Sequence, residues 1–148
     1  MASRRLAREQ AVQILYQSDL TGCDAEEAIT LYWQVEGSHP DRQPPDSDDV
    51  EFASRLVRGV KASCPDVDEL IGAASINWKV QRMSYVDRNI LRVAVYEFIA
   101  LEDIPTMVSI NEAIELGKRL GTTESGAFIN GILDKVARNL SASRGQAE

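Results

Sequence analysis

The sequence predicts an all-α domain, and three observations carry that prediction. Apolar residues recur at helical spacing almost throughout, no run shows the alternation of a half-buried strand, and one segment near residue 90 is apolar around most of its circumference. Such a helix belongs at the centre of a bundle. With 148 residues and 44% hydrophobic content, the chain is long enough for one domain with a substantial core.

The first predicted helix covers 4–18, with Ala7, Ala11, Ile14, Leu15 and Ser18 on one face. A second covers 24–36 and ends at Gly37, a residue suited to a C-cap. Residues 38–46 carry Pro40, Pro44 and Pro45 among polar residues and read as a surface loop, the expected hinge between two halves of one domain. Ser47 suits the cap of a third helix, whose Val50, Ala53, Leu56, Val57 and Val60 repeat at helical spacing. Pro65 is expected to end it, because proline lacks the N–H and clashes with the preceding turn. A short fourth helix from Asp66 would bury Val67, Leu70 and Ile71. Ser84 and Asp87 form an S-x-x-D capping box for a fifth, over 85–101, whose Ile90, Leu91, Val93, Ala94, Val95 and Phe98 make it the central one. Pro105 separates it from a second box, Ser109 to Glu112, expected to open a helix ending at Gly121. The last helix, 124–140, gathers Ile129, Ile132, Leu133, Val136 and Leu140 into a narrow stripe. Six or seven helices in all are expected, with the one over 85–101 buried at the centre.

The net charge of −7 argues against a protein that coats nucleic acid through bulk positive charge. Its distribution is more informative. Residues 1–16 hold three arginines against Glu9 alone, whereas residues 17–57 hold two arginines against ten acids. An acidic chain with a basic tip can bind RNA at one place. No apolar run approaches the ~20 residues of a membrane span, and Arg4, Arg5, Arg8 and Glu9 stand where a signal peptide would be apolar. Cys23 and Cys64 are far apart and in no metal spacing, so a reduced cytoplasmic protein without a structural metal is expected.

Signatures of a reaction are missing. His39 lies in the proline-rich loop without triad or ligand partners. The run Gly117-Lys118-Arg119-Leu120-Gly121 lacks the order of a phosphate-binding loop, and Gly121 reads as a helix end. Glu26, Glu27, Asp48 and Asp49 sit in first helical turns, where they complement the macrodipole. No catalytic residue, cofactor or metal is implied.

Binding features do appear. At about 100° per residue, Arg5, Val12 and Tyr16 fall within about 40° of one another on the first helix. Arginine forks suit phosphate and tyrosine suits base stacking, the groups that recognise single-stranded RNA. A solvated terminus, with Tyr16 packed on a neighbouring helix, is the competing reading. Phe128 lies about 100° from Ile129, at the border of its apolar stripe. It reads equally as a peripheral core residue or as a partly exposed stacking ring. Asn111, Glu112 and Asn130 read as capping and scaffold residues.

Three blocks then become recognisable: Arg4 to Tyr16 (RRLAREQAVQILY), Val86 to Glu97 (VDRNILRVAVYE), and Ile104 to Asp134 with its SINEAIEL and SGAFINGILD segments. In order, spacing and helical setting these resemble the NusB family of bacterial transcription antitermination factors over nearly the whole chain. Only the loop near 37–47 and the tail after about 140 look individual. The resemblance implies seven helices in two packed sub-bundles, no enzymatic activity, and binding to boxA RNA of ribosomal RNA leader transcripts. It implies as partners NusE, which is also a small-subunit ribosomal protein, and the antitermination complex on RNA polymerase.

Residue by residue, the family's arginine-rich motif maps to Arg4, Arg5 and Arg8, and its closing aromatic to Tyr16. Leu6 stands where members often continue with arginine, which would reduce the electrostatic share of RNA affinity. Glu124 and Phe128 match a second RNA-facing patch, with Glu124 tuning affinity downward or meeting a base edge. Asp87 and Arg88 match the start of the helix facing NusE, where an exposed ion pair would set orientation. Monomer and homodimer both stay open. So does a helical adaptor that binds only proteins, whereas the RNA-binding half of an RNA methyltransferase is disfavoured by the absence of a G-x-G-x-x-G unit.

Overall fold

The computed structural model describes residues 4–147 apart from His39 and Arg42, with side chains as far as Arg144. The reading of His39 therefore lies outside the described residues. All regular structure among these is helical: α1 (Arg4–Thr21), α2 (Ala25–Gly37), α3 (Ser47–Ala74), a 3-10 turn (Val80–Arg82), α4 (Tyr85–Ala100), α5 (Thr106–Leu120) and α6 (Ser125–Ala147). The chain divides into two compact units, Met1–Ala62 and Ser63–Glu148. That division falls inside α3. The proline-rich loop, expected to be the hinge, joins two helices of the first unit instead.

Helix α1 ends where Gly22 takes a positive φ of 76° and its N–H bonds Ser18 O, a left-handed cap that suits glycine. Asp24 caps α2 by accepting from Glu27 N at 2.9 Å. The inner face of α1, with Ala7, Ala11, Ile14 and Leu15 at most 2% exposed, belongs to the core of this unit together with Ile29, Tyr32 and Leu56. Arg58 of α3 grips Glu26 of α2 through two hydrogen bonds, which hold the carboxyl below its ordinary range. Both side chains are more than half exposed, so this pair orients the helices more than it stabilises them.

Among the described residues there are six α-helices, not seven, because Pro65 does not end α3. A proline inside a helix costs about 3 kcal/mol. Here the apolar positions continue through it on one face, from Leu56 and Val60 to Val67 and Ile71, all at most 1% exposed. Burial of these apolar positions on both sides of Pro65 outweighs the lost hydrogen bond. A second correction concerns α5, which starts at Thr106. Ser109 sits inside the helix and donates to Glu97 Oε1 at 2.8 Å, both side chains being buried, so it is a core contact and not a cap. The last helix runs to Ala147 instead of stopping near 140.

The Ser84 box stands as expected, with Ser84 Oγ accepting from Asp87 N at 3.1 Å. Helix α4 is the central element of the second unit and packs against both α5 and α6. Ile90, Leu91, Val93, Ala94 and Val95 are at most 2% exposed. No helix among the described residues is long and apolar enough to cross a membrane.

Candidate RNA-binding surfaces

Each unit presents one patch. In the first, α1 lifts Arg4, Arg5 and Tyr16 to the surface, with Tyr16 37% exposed, while Val12 between them is buried. Arg5 and Tyr16 thus share the rim of the buried face, as their angular spacing requires. Arg8 is different, at only 5% exposed. Its guanidinium lies 5.7 Å from the centre of the Phe52 ring, and that of Arg4 lies 4.4 Å from the same ring. A cleft beside them is lined by Arg4, Asp48, Asp49, Glu51, Phe52 and Arg55. The acidic first turn of α3 therefore lies beside part of the basic tip, and an incoming phosphate competes with those carboxylates.

In the second unit, Glu124, Phe128 and Asp87 come together in one cleft of about 250 Å³, with Trp78, Arg82, Met83, Ser84, Thr122 and Ser125. Phe128 is half-buried at the border of the α6 stripe, whose Ile129, Leu133 and Val136 are fully buried. Asp87 Oδ1 is buried and accepts no hydrogen bond among the described residues. Arg88 is not among the residues lining this cleft. It is 9% exposed with its guanidinium 4.7 Å from the Tyr85 ring centre, whereas Asp87 is half-buried, so the two do not form the exposed pair that the resemblance implies.

The corner between α5 and α6 presents Glu124 and Phe128. Ser125 Oγ accepts from Thr122 N at 2.9 Å, and Thr122 Oγ1 accepts from Glu124 N at 3.3 Å. Only glycine fits at 121, since a Cβ there would lie 2.7 Å from Ser125 Cβ and 2.9 Å from Gly117 O. Gly121→Ala is therefore expected to cost about 1–3 kcal/mol and to displace this turn. Urea denaturation reads the loss, and Phe128 ring shifts in NMR spectra read the displacement. A variant as stable as the parent with unmoved resonances would show that the corner has slack.

Sequence reasoning missed Phe52, whose hold on Arg4 and Arg8 depends on tertiary packing, and Trp78. The available signal for Trp78 was a lone tryptophan between polar residues in a segment without helical periodicity. No group of three or more metal-ligating side chains occurs among the described residues.

The fold and these patches define a helical binding protein that carries an aromatic and charged surface on each of its two units. The chain belongs to the NusB family, whose model matches residues 5–138. It is 45% identical to the transcription antitermination protein NusB of Myxococcus xanthus over 137 residues, covering 93% of this chain and 96% of that one. Its structure is similar to T. maritima NusB, with a TM-score of 0.79, 36% identity, and coverage of 93% of this chain and 92% of that chain. It is also similar to a chain in the crystal structure of the antitermination factors NusB and NusE in complex with dsRNA, at a TM-score of 0.80, 26% identity, and coverage of 92% and 96%.

Proposed function

We propose that this chain is a non-enzymatic transcription antitermination factor of the cytoplasm, which binds boxA RNA of ribosomal RNA leader transcripts together with NusE and joins the antitermination complex on RNA polymerase. The observation that carries the reading is family membership over residues 5–138, a span that contains both aromatic patches. Arg4, Arg5 and Arg8 supply positive charge to the first patch, and Tyr16 a stacking surface. Glu124 and Phe128 belong to the second, and Asp87 and Arg88 begin the helix that meets NusE. The two compact units are the two sub-bundles of a single NusB-like domain.

The mechanism is co-recruitment. A chain of net charge −7 attracts RNA weakly, and part of its basic tip lies against Phe52 and the acids of α3. A basic partner bound to the same RNA raises the effective concentration of each patch at its own segment. Labelled boxA RNA and a scrambled control, titrated at fixed salt with and without NusE, test this by fluorescence anisotropy. Tighter binding to boxA that strengthens with NusE is expected, and Tyr16→Ala or Phe128→Ala should each weaken it about tenfold, within the range for a lost base stack, without loss of helicity. Equal weak binding to both RNAs would leave the protein-only adaptor as the better account.

A further inference from the structure

We infer that Trp78 is a base-stacking residue of the RNA site, sharing one cleft with Phe128; the inference rests on the RNA-binding reading above. Trp78 is 55% exposed and its neighbour Ile76 81% exposed, although tryptophan is on average among the well-buried residues. Structural need does not explain this, because the backbone around it is anchored without the indole. Ser75 Oγ donates to Trp78 O at 2.6 Å, Arg82 N to Lys79 O at 2.9 Å, and Val80 is buried with a methyl over Gly72. The segment thus holds a large aromatic ring in solvent on a fixed support. A ring on an anchored backbone has less freedom to lose when something stacks on it than a ring on an unanchored loop.

The chemistry of the cleft selects the occupant. Trp78, Met83 and Phe128 offer two rings and a thioether, and Arg82 adds a positive charge. Asp87 and Glu124 repel phosphate, yet carboxylates accept readily from the amino and imino groups of a base edge. At about 250 Å³ the cleft lies at the lower limit of small-ligand sites, the size for one unpaired base and not for a strand of several. Stacking on two rings is sequence-tolerant, so the carboxylates supply whatever discrimination this site makes.

The chain has two tryptophans, so Trp33→Phe leaves Trp78 as the sole indole reporter in the full-length protein. Its emission and the anisotropy of labelled boxA RNA are followed in one titration with NusE, the emission of NusE alone being subtracted. Expected is quenching that saturates with the anisotropy, a dissociation constant about tenfold higher for Trp78→Ala, and recovery to within about threefold in Trp78→Phe. Circular dichroism and the thermal midpoint should be unchanged in both variants, because the ring is exposed. RNA binding with unaltered emission and wild-type affinity in Trp78→Ala would overturn the inference while leaving the RNA reading intact. Quenching by NusE without RNA would overturn it by making the cleft a protein-docking surface. No RNA binding by any variant under any condition would overturn the RNA reading itself, and this inference with it.

Discussion

Leu91→Ala is expected to lower the stability of the protein by about 2–5 kcal/mol, a large part of what a domain of this size possesses. Leu91 is fully buried on α4, with Ile90, Val95 and the α6 residues Ile129 and Leu133 equally out of solvent. Removing its isobutyl group forfeits transfer energy and opens a cavity. Helix α4 packs on both α5 and α6, so neither neighbour can close the gap without leaving the other. The variant should unfold at markedly lower urea with an unchanged m-value, because the surface exposed on unfolding stays the same. Leu6→Ala, at a position 44% exposed, is the control and should shift stability by less than about 0.5 kcal/mol. Comparable losses in the two variants would remove α4 from the centre of its unit.

The position of α4 was legible because its apolar residues circle the helix, a pattern no surface helix can satisfy. The Ser84 cap was legible because the bond it makes is local. Pro65 misled, since a proline reads as a stop when only the penalty is counted. The buried stripe on both sides of it, from Val60 to Ile71, is a tertiary gain that outweighs that penalty. Ser109 misled in the same way: an S-x-x-E pattern matches a capping box, yet this hydroxyl is engaged by Glu97 on another helix. At the candidate surfaces, angular arithmetic located Phe128 at a stripe border and Tyr16 beside Arg5, because both depend on one helix alone. The hold of Phe52 on Arg4 and Arg8 involves residues more than forty positions apart, and no helical period connects them. The same separation hid the meeting of Trp78 with Phe128 in one cleft.

Asp68→Ala is expected to cost about 3 kcal/mol, more than the loss of an ordinary hydrogen bond. Asp68 accepts a fork from Arg92, Nε to Oδ1 and Nη2 to Oδ2, both at 2.8 Å, and joins the second half of α3 to α4. The Arg92 side chain is only 12% exposed, so without Asp68 its charge stays largely desolvated and has lost the carboxylate that faces it. Asp68 is 29% exposed, which places the cost at the lower end of that for a broken buried pair. Removing both charges should harm the protein less than removing one. Asp68→Ala/Arg92→Leu is accordingly expected to be more stable than Asp68→Ala, giving a coupling of about 1.5–3 kcal/mol in the double-mutant cycle. The coupling should persist in 0.5 M salt, because screening acts weakly on a pair shielded from water. A coupling near zero, or one that salt abolishes, would make this fork a surface ion pair. The outcome bears on the candidate site as well: the segment carrying Trp78 leaves the C-terminal end of α3, so the fork that fixes α3 to α4 also supports the indole.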